Sequence, residues 1–404
     1  MLTYSEARQK VIEVVLARGP RTAAESLPLE KTLGRVLAET VTADRDYPPF
    51  DRSTRDGFAL RAEDAATVPS TLTLVGEIKA GDVFSGRVGV GECVQIMTGA
   101  AVPPGADSVV MVEYTRMTGA SVVVERPAVA GQNIVPHGSE AKAGQQLLAA
   151  GTRFGYAELA IAGQVGHTPV RVHRRPRVAL LSTGDEVVAV DARPGAVEIR
   201  NSNCLSLAAQ VELAGGVPVP LGNAPDREPD LRAMMERGLE TDILVLTGGV
   251  SMGKYDLVEG VLRSLGAEFF FDAVAIRPGR PAVFGYCQGK PVFGLPGNPV
   301  STMVTFELFA VAALDVLGGA APRPLPIFKA KLAAAVRLKA ALAHFLPAAV
   351  TWTSGEPIVR ELSWQGSGDI VALAQANAFL VVPAQKLEWQ AGEWVDVMPR
   401  RGAL

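Results

Sequence analysis

The sequence predicts a multi-domain protein of the α/β plus β class, and three observations support this prediction. With 404 residues, the chain is too long for one ordinary domain. Between residues 177 and 295, apolar strand-like runs alternate with helical segments, which is typical of a parallel sheet covered by helices. Short alternating segments separated by Gly and Pro turns occupy residues 57–140 and 322–404, and they predict two smaller β domains.

Residues 4–18 predict an amphipathic helix, and the spacing of Thr3 and Glu6 predicts a capping box at its start. Residues 144–170 return to loop and helix, and we expect them to rejoin the N-terminal helix, which makes the first β region an insertion. The expected domains are an N-terminal helical and linking domain at 1–46 and 142–172, an inserted β domain at 47–141, an α/β domain at 173–320 and a C-terminal β domain at 321–404.

The α/β region has a regular order of elements. Strands are predicted at 177–181, 217–221, 242–246 and 291–295, helices at 203–214, 228–239 and from about residue 299, and a hairpin-like stretch at 268–285. Ligands of parallel α/β sheets bind at the carboxyl ends of the strands. The loops that follow these strands are therefore the first candidates for a functional site.

Composition excludes several classes of protein. Hydrophobic residues make up 48% of the chain and charged residues 20%, so a large core can form. The net charge of -3 is unlike that of a dedicated nucleic-acid binder. The three cysteines, which suit a reducing compartment, are Cys93, Cys204 and Cys287. The N-terminus lacks a signal-peptide pattern, and no uninterrupted apolar run approaches membrane-spanning length, so we expect a soluble cytoplasmic protein.

Three glycine-containing loops follow predicted strands of the α/β region. They are 182–186, 247–256, which contains Gly248 and Gly249, and 295–301. Glycine lets the backbone approach a ligand closely, and free N–H groups in such loops bind phosphate or another oxyanion. Taken singly, each loop is equally typical of a tight turn. Three of them at one edge of a sheet favour a ligand site.

Carboxylates accompany these loops. Asp185, Glu186 and Asp256 lie within them, and Asp226 follows the second strand. Beside a bound phosphate they would repel the ligand unless a divalent cation lay between, and oxygen ligands suit Mg²⁺. For Asp185 and Asp226, helix N-capping is nearly as good an interpretation. For Glu186 and Asp256 the specialised loops favour function, so these two are the predicted metal ligands.

Arg277 and Arg280 flank a Pro-Gly turn that can aim both guanidinium groups at one anion. In isolation, a hairpin turn with solvated charges is the better interpretation. The first β region adds Asp56 directly before a glycine, Thr98 in a Thr-Gly turn and Glu140 after Gly-Ser. Each of these segments, taken alone, is typical of a turn.

Eight blocks together resemble one family. In order they are FDRSTRDGFA, IMTGAAVPPGADSVVMVE, GQNIVPHGSE, LLSTGDEVV, LTGGVSMGKYD, RPGRPAVFG, GLPGNPVS and GSGDIVALAQAN. Their order and spacing are similar to those of the molybdopterin molybdenumtransferase family, which comprises MoeA and the gephyrin E domain. The match runs across essentially the whole chain.

The resemblance implies an elongated homodimer of four-domain subunits, with an α/β/α sandwich domain and a C-terminal β-barrel-like domain. It implies a site shared between the α/β domain of one subunit and the inserted β domain of the other. The implied reaction inserts molybdate into adenylylated molybdopterin with Mg²⁺-dependent release of AMP. Partners consistent with that role are molybdopterin adenylyltransferase and molybdoenzyme-maturation proteins, with no nucleic acid and no membrane.

The resemblance also implies roles for individual residues. The catalytic set is Asp56, Thr98, Glu186, Asp226 and Asp256; the substrate-binding set is Glu140, Gly248, Gly249, Ser251, Arg277, Arg280, Pro296, Pro299 and Ser367; the metal ligands are Glu186 and Asp256. The chain departs from the family pattern in three regions, namely the cationic turn, position 140 and the C-terminal domain. Arg277 and Arg280 stand where lysines are common, and Glu140 replaces a frequent Asp. A C-terminal arginine is also missing from the stretch around Leu342 and His344.

Two other functions stay open at this point. A binding module would keep the fold and the pterin pocket but act as a carrier or scaffold, and the missing arginine is its best support. A pterin adenylyltransferase shares the glycine loop, but needs only the α/β domain. The two additional β domains count against it.

Overall fold

The structure is a computed structural model, and it describes residues 1–19, 21–249, 257–338 and 342–403. The chain divides into two compact units. The first comprises Met1–Glu39, Gly151–Gly155 and Pro169–Leu404, and the second, here called the inserted unit, comprises Thr40–Ala150 and Tyr156–Thr168. The finer division into four domains stays a prediction.

The chain starts with helix α1 (Tyr4–Arg18). The Thr3 side chain accepts a hydrogen bond from the Glu6 backbone N–H, and the Glu6 carboxylate accepts one from the Thr3 backbone N–H, which confirms the capping box. Strands β1 (Ala24–Leu27) and β2 (Val36–Leu37) follow.

The inserted unit is mainly β structure. Its elements are β3 (Val41–Thr42), β4 (Arg52–Ser53), β5 (Gly57–Leu60), β6 (Ser70–Ile78), β7 (Glu92–Ile96), β8 (Ser108–Met111), β9 (Thr115–Thr118), β10 (Ser121–Val124), β11 (Ile134–Val135), β12 (Gln146–Leu148) and helix α2 (Tyr156–Gln164). Six of the strands form one sheet in the order β8-β5-β7-β6-β10-β9. Alternate residues of β5 pack into two separate apolar clusters, because successive side chains of a strand point to opposite faces.

Strand β13 (Val170–His173) brings the chain back to the first unit. It pairs antiparallel with β1 and with β2, both of which precede the inserted unit in sequence. The inserted unit is therefore an excursion from a small three-stranded sheet.

The α/β region alternates strands and helices as predicted. Its elements are β14 (Arg177–Thr183), β15 (Val187–Val188), β16 (Ile199–Arg200), α3 (Ser202–Ala214), β17 (Val217–Ala224), α4 (Glu228–Leu239), β18 (Ile243–Thr247), α5 (Leu257–Ser264), β19 (Glu268–Phe271), β20 (Ile276–Arg277), β21 (Val283–Cys287), β22 (Lys290–Leu295), α6 (Pro299–Thr305) and α7 (Val311–Leu317). The sheet order is β17-β14-β18-β22-β21-β19, and the first four strands are parallel.

Both faces of this sheet are covered. Val178 and Leu180 of β14 pack in the core that includes residues of α1, α3, α6 and α7, whereas Ala179 and Leu181 pack in the core that includes residues of α4 and α5. This three-layer arrangement confirms the predicted α/β/α sandwich.

A continuous helical segment of 19 residues, Pro299–Leu317, is long and apolar enough to cross a membrane by length and composition. It does not contradict the expectation for an uninterrupted apolar run, because Glu307 and Asp315 interrupt it. Of its apolar stretch of 18 residues, 94% is buried inside the protein, which is typical of a core helix. A π-helical turn, Phe306–Ala310, joins α6 to α7.

The C-terminal region is a closed barrel. Its elements are β23 (Phe328–Leu332), β24 (Val336–Arg337), β25 (Ala343–Thr353), β26 (Glu356–Glu361), α8 (Ile370–Gln375), β27 (Ala378–Val382), β28 (Glu388–Trp389) and β29 (Trp394–Pro399). The order β25-β26-β23-β29-β27 closes because β27 also pairs with β25, which confirms the barrel-like fold. Strand β20 of the α/β region adds to this sheet by pairing in parallel with β25.

A buried carboxylate stabilises the end of α7. Asp315 is fully buried, and its oxygens accept hydrogen bonds from Arg153 Nη2 at 3.1 Å and from Arg323 Nη2 at 2.6 Å. The Arg323 backbone N–H and Nε also donate to Asp315 Oδ2, each at 3.0 Å. Both guanidinium groups therefore depend on one buried counter-charge.

We expect Asp315→Ala to lower the free energy of unfolding by about 3–5 kcal/mol, because it leaves two partly buried guanidinium groups without a counter-charge. Urea denaturation measures this loss. As a matched control, Glu388→Ala removes an exposed carboxylate paired with Arg337 and should cost less than about 1 kcal/mol. Equal losses in the two variants would contradict the interpretation.

Candidate functional site

A cavity of about 420 Å³ opens where β14, β18 and β22 end. It is lined by Ser182, Thr183, Glu186, Val187, Ile199, Arg200, Asn201, Ser202, Asn203, Thr247, Gly248, Gly249, Pro281, Pro296, Gly297, Asn298 and Pro299. We call it the first cavity. All three predicted glycine loops contribute to its lining, so they do meet at one edge of the sheet.

Hydroxyl and amide groups form a connected network in the wall of the first cavity. Ser182 Oγ donates to Asn201 Oδ1 at 3.0 Å, and Thr247 Oγ1 donates to Ser182 Oγ at 3.2 Å. Asn201 also caps α3, since its side chain accepts a hydrogen bond from Cys204 N at 3.1 Å. These bonds hold polar groups on neighbouring strands in fixed positions, which favours recognition of a polar ligand.

Glycine is required at position 248. Gly248 has φ +88°, and a Cβ there would lie 2.6 Å from the carbonyl oxygen of Thr183. Any side chain would push the loop away from β14. The close approach brings the backbone of this loop to the cavity wall.

Acidic residues lie close together beside this cavity. Asp185 Oδ1 accepts a hydrogen bond from Asp226 N at 3.0 Å. Burial raises the pKa of Asp226, and the negative charges of Asp185 and Glu186 raise it further. N-capping was the wrong alternative for both aspartates. Strand β15, not a helix, follows Asp185, and the N-cap position of α4 is Arg227.

The donor chemistry of these acidic residues fits Mg²⁺, because only carboxylate oxygens are offered and Glu186 lines the cavity. Among residues 1–19, 21–249, 257–338 and 342–403, no group of three or more His, Cys, Asp or Glu is placed to hold a metal by itself. Mg²⁺ usually takes one or two protein carboxylates and completes its shell with water and substrate phosphates. Asp256, the other predicted ligand, lies outside the described residues, as does Ser251.

A second cavity, of about 820 Å³, contains the predicted cationic turn. It is lined by Ile276, Arg277, Pro278, Gly279, Arg280, Pro281, Pro296, Asn298, Ser301, Leu342, Trp364, Gln365, Gly366, Ser367 and Gly368. Gly279 has φ +101°, and a Cβ there would lie 2.5 Å from Thr305 Cγ2, so the turn packs tightly on α6. Arg277 and Arg280 are exposed, and neither is in an ion pair with another residue that the structure describes.

The barrel contributes one wall of the second cavity. The Ser367 carbonyl accepts a hydrogen bond from Val300 N at 3.0 Å, which joins the barrel loop to the start of α6. Leu342 lines the cavity and offers no charge. His344 is buried in β25. Burial lowers the pKa of His344, the Leu342 carbonyl opposes this change, and the charge of Arg277 adds to it.

Within the inserted unit, Asp56 and Thr98 form a pair. Asp56 Oδ1 accepts hydrogen bonds from Thr98 N at 2.6 Å and from Thr98 Oγ1 at 2.8 Å, which lower the pKa of Asp56. Glu140 forms an ion pair with Arg52 at 2.8 Å. Asp56, Thr98 and Glu140 are all exposed.

The lining of the two cavities includes most of the α/β and barrel residues named from the sequence. They are Glu186, Gly248, Gly249, Arg277, Arg280, Pro296, Pro299 and Ser367. Asp226 lines neither cavity but interacts with Asp185 and Glu186. The segment Arg200–Asn203 was missed, although polar residues at a helix start after a strand are a recognisable signal.

Comparisons with known proteins agree with this architecture. Family models match the MoeA N-terminal region (domain I and II) over residues 2–166, a probable molybdopterin binding domain over 179–316 and the MoeA C-terminal region (domain IV) over 329–399. The molybdopterin molybdenumtransferase of Bacillus subtilis (strain 168) is 35% identical over 400 residues, covering 93% of this chain and 89% of that protein. The chain belongs to the MoeA family of molybdopterin molybdenumtransferases.

Further relatives support membership in the MoeA family. The molybdopterin molybdenumtransferase of Staphylococcus aureus (strain N315) is 32% identical, covering 96% of this chain and 94% of that protein. The crystal structure of the molybdopterin biosynthesis moeA protein from Pyrococcus horikoshii OT3 has 30% sequence identity and a TM-score of 0.81, covering 99% of this chain and 100% of that one. Membership makes this chain a transferase with a role in molybdenum cofactor biosynthesis.

We expect Asp226→Asn to raise the thermal unfolding temperature at pH 7 and to leave it unchanged at pH 3. The pKa of this carboxyl is raised in the folded chain, so its charged form opposes folding above the folded pKa. The cost vanishes below the unfolded pKa of about 3.9, where both states are protonated. Calorimetry at the two pH values measures this, and an identical difference at both would show that charge is not the cause.

Proposed function

We propose that this chain inserts molybdenum from molybdate into adenylylated molybdopterin, with Mg²⁺-dependent release of AMP. The observation that supports this most is the adjacency of two different cavities, which share Pro281, Pro296 and Asn298 in their linings. One cavity offers glycine loops, hydroxyls and a carboxylate, and the other offers two guanidinium groups that form no ion pair with the residues that the structure describes.

The charges suggest which substrate each cavity takes. The glycine loops and the start of α3 in the first cavity suit the diphosphate-linked pterin, because backbone N–H groups and a helix N-terminus bind phosphate. Arg277 and Arg280 suit molybdate, because a tetrahedral dianion needs fixed cations, with the Ser301 and Ser367 hydroxyls as neighbours. Glu186 and Asp256 would hold Mg²⁺, which would supply charge neutralisation at the diphosphate.

The assembly that fits this proposal is a homodimer. Helix α3 exposes Leu205 and Leu213, which are two turns apart and would be covered in a dimer. Asp56, Thr98 and Glu140 would then serve the site of the partner subunit. The proposal places the enzyme in the cytoplasm, without nucleic acid or membrane, between molybdopterin adenylyltransferase and molybdoenzyme-maturation proteins.

A second candidate is a carrier or scaffold that binds the pterin without turnover. Leu342 favours it, because an apolar side chain in the cationic cavity contributes nothing to holding an oxyanion. One measurement distinguishes the transferase hypothesis from the carrier hypothesis. The transferase releases AMP from adenylylated molybdopterin when molybdate and Mg²⁺ are present, whereas the carrier binds the pterin tightly and releases none.

We expect Arg277→Ala combined with Arg280→Ala to raise the molybdate concentration for half-maximal AMP release about 100-fold or more, because two charged hydrogen-bond donors are lost. Pterin affinity should change less than about threefold. The matched control is Arg360→Ala, an exposed barrel arginine that lines neither cavity. Equal losses of molybdate use and pterin binding would show that the pair is structural.

We expect Glu186→Gln to reduce Mg²⁺-dependent AMP release at least 100-fold at low Mg²⁺, because a neutral amide is a poor ligand for this cation. Partial recovery at high Mg²⁺ should follow. Glu198→Gln is the control, since Glu198 accepts a hydrogen bond from Gly195 N in a neighbouring loop and lines neither cavity. A wild-type Mg²⁺ dependence in Glu186→Gln would remove this residue from the metal site.

A further inference from the structure

Asn298 carries the one polar side chain that lines both cavities within the part of the chain that the structure describes. The two linings share three residues, and the other two, Pro281 and Pro296, have no side-chain hydrogen-bonding group. A ligand group at the junction of the cavities therefore meets this carboxamide.

The side chain of Asn298 does not cap helix α6, although the residue occupies the N-cap position. Asn298 is the N-cap residue of α6, where asparagine normally accepts a hydrogen bond from the second or third backbone N–H of the helix. Its side chain makes no cap hydrogen bond, and the Val300 N–H donates instead to the Ser367 carbonyl at 3.0 Å. The barrel loop thus replaces the cap, and the exposed carboxamide is available to a ligand.

The backbone around Asn298 is held on three sides. Asn203 Nδ2 donates to the Gly297 carbonyl at 2.8 Å, Thr302 Oγ1 donates to the Pro296 carbonyl, and Thr302 N donates to the Asn298 carbonyl at 3.0 Å. The carboxamide therefore projects from a fixed point, which is the condition for preorganised binding.

We infer that the Asn298 carboxamide binds an oxygen of the molybdate substrate at the junction of the two cavities. It lies between the cationic turn of Arg277 and Arg280 and the cavity that contains Glu186. A neutral hydrogen-bond donor suits this junction. An additional cation would hold the molybdate in the second cavity, and a carboxylate would repel it. The inference rests on the proposed function and adds a substrate-contacting residue to it.

The test compares wild type, Asn298→Ala and the isosteric Asn298→Asp. We expect Asn298→Ala to lower kcat for AMP release about 10- to 100-fold, since a hydrogen bond to a charged group is lost. Asn298→Asp should lose more, because its charge repels the anion. In Asn298→Ala, the thermal unfolding temperature and pterin affinity should match wild type, since no intramolecular cap bond is removed. Gln390→Ala, at an exposed carboxamide outside both linings, is the control.

The outcomes separate this inference from the proposed function. Wild-type kcat in Asn298→Ala overturns the inference alone, and so does a parallel loss of stability and pterin affinity, which marks a structural residue. Calorimetric titration with molybdate alone should show weaker binding to Asn298→Asp than to wild type, while the two arginines retain the anion in Asn298→Ala. A wild-type protein that neither binds molybdate nor releases AMP overturns the proposed function itself.

Discussion

The site depends on one constraint, namely that β14, β18 and β22 run parallel and end at the same edge of the sheet. Parallel pairing forces the three following loops to emerge side by side, although they are about 50 to 65 residues apart in sequence. The hydrogen bonds from Thr247 to Ser182 and from Ser182 to Asn201 join neighbouring loops directly. A change of register in any of these strands would separate the groups of the first cavity.

The sequence was informative where the periodicity was strong. Helices α1 and α4 have the bounds that the pattern predicted, and the parallel strands were each found within a few residues. The glycine loops could also be predicted from the sequence, because glycine and proline mark tight turns. Glu307 and Asp315 interrupt the apolar residues of the helix 299–317, and the structure shows what periodicity cannot, namely that both are buried in ion pairs.

Other features could not be read from the chain because they depend on tertiary contacts. Nothing local to Asn298 shows that its capping role is taken over by the Ser367 carbonyl, about 70 residues later. The interaction of Asp226 with Asp185 and Glu186 likewise arises only when two loops meet. Capping was a fair expectation for both aspartates. It failed for Asp185 because β15 stands where a helix was assumed, and for Asp226 because Arg227 holds the N-cap position of α4.

The pairing of β20 with β25 bears on which parts of the chain could exist independently. Arg277 lies on β20, so the backbone that carries this guanidinium is itself a strand of the barrel sheet. A shortened protein ending before the barrel would leave that strand unpaired and the cationic turn without its outer wall. The proposed oxyanion site would thus depend on both folds, whereas the first cavity is lined by the α/β region alone.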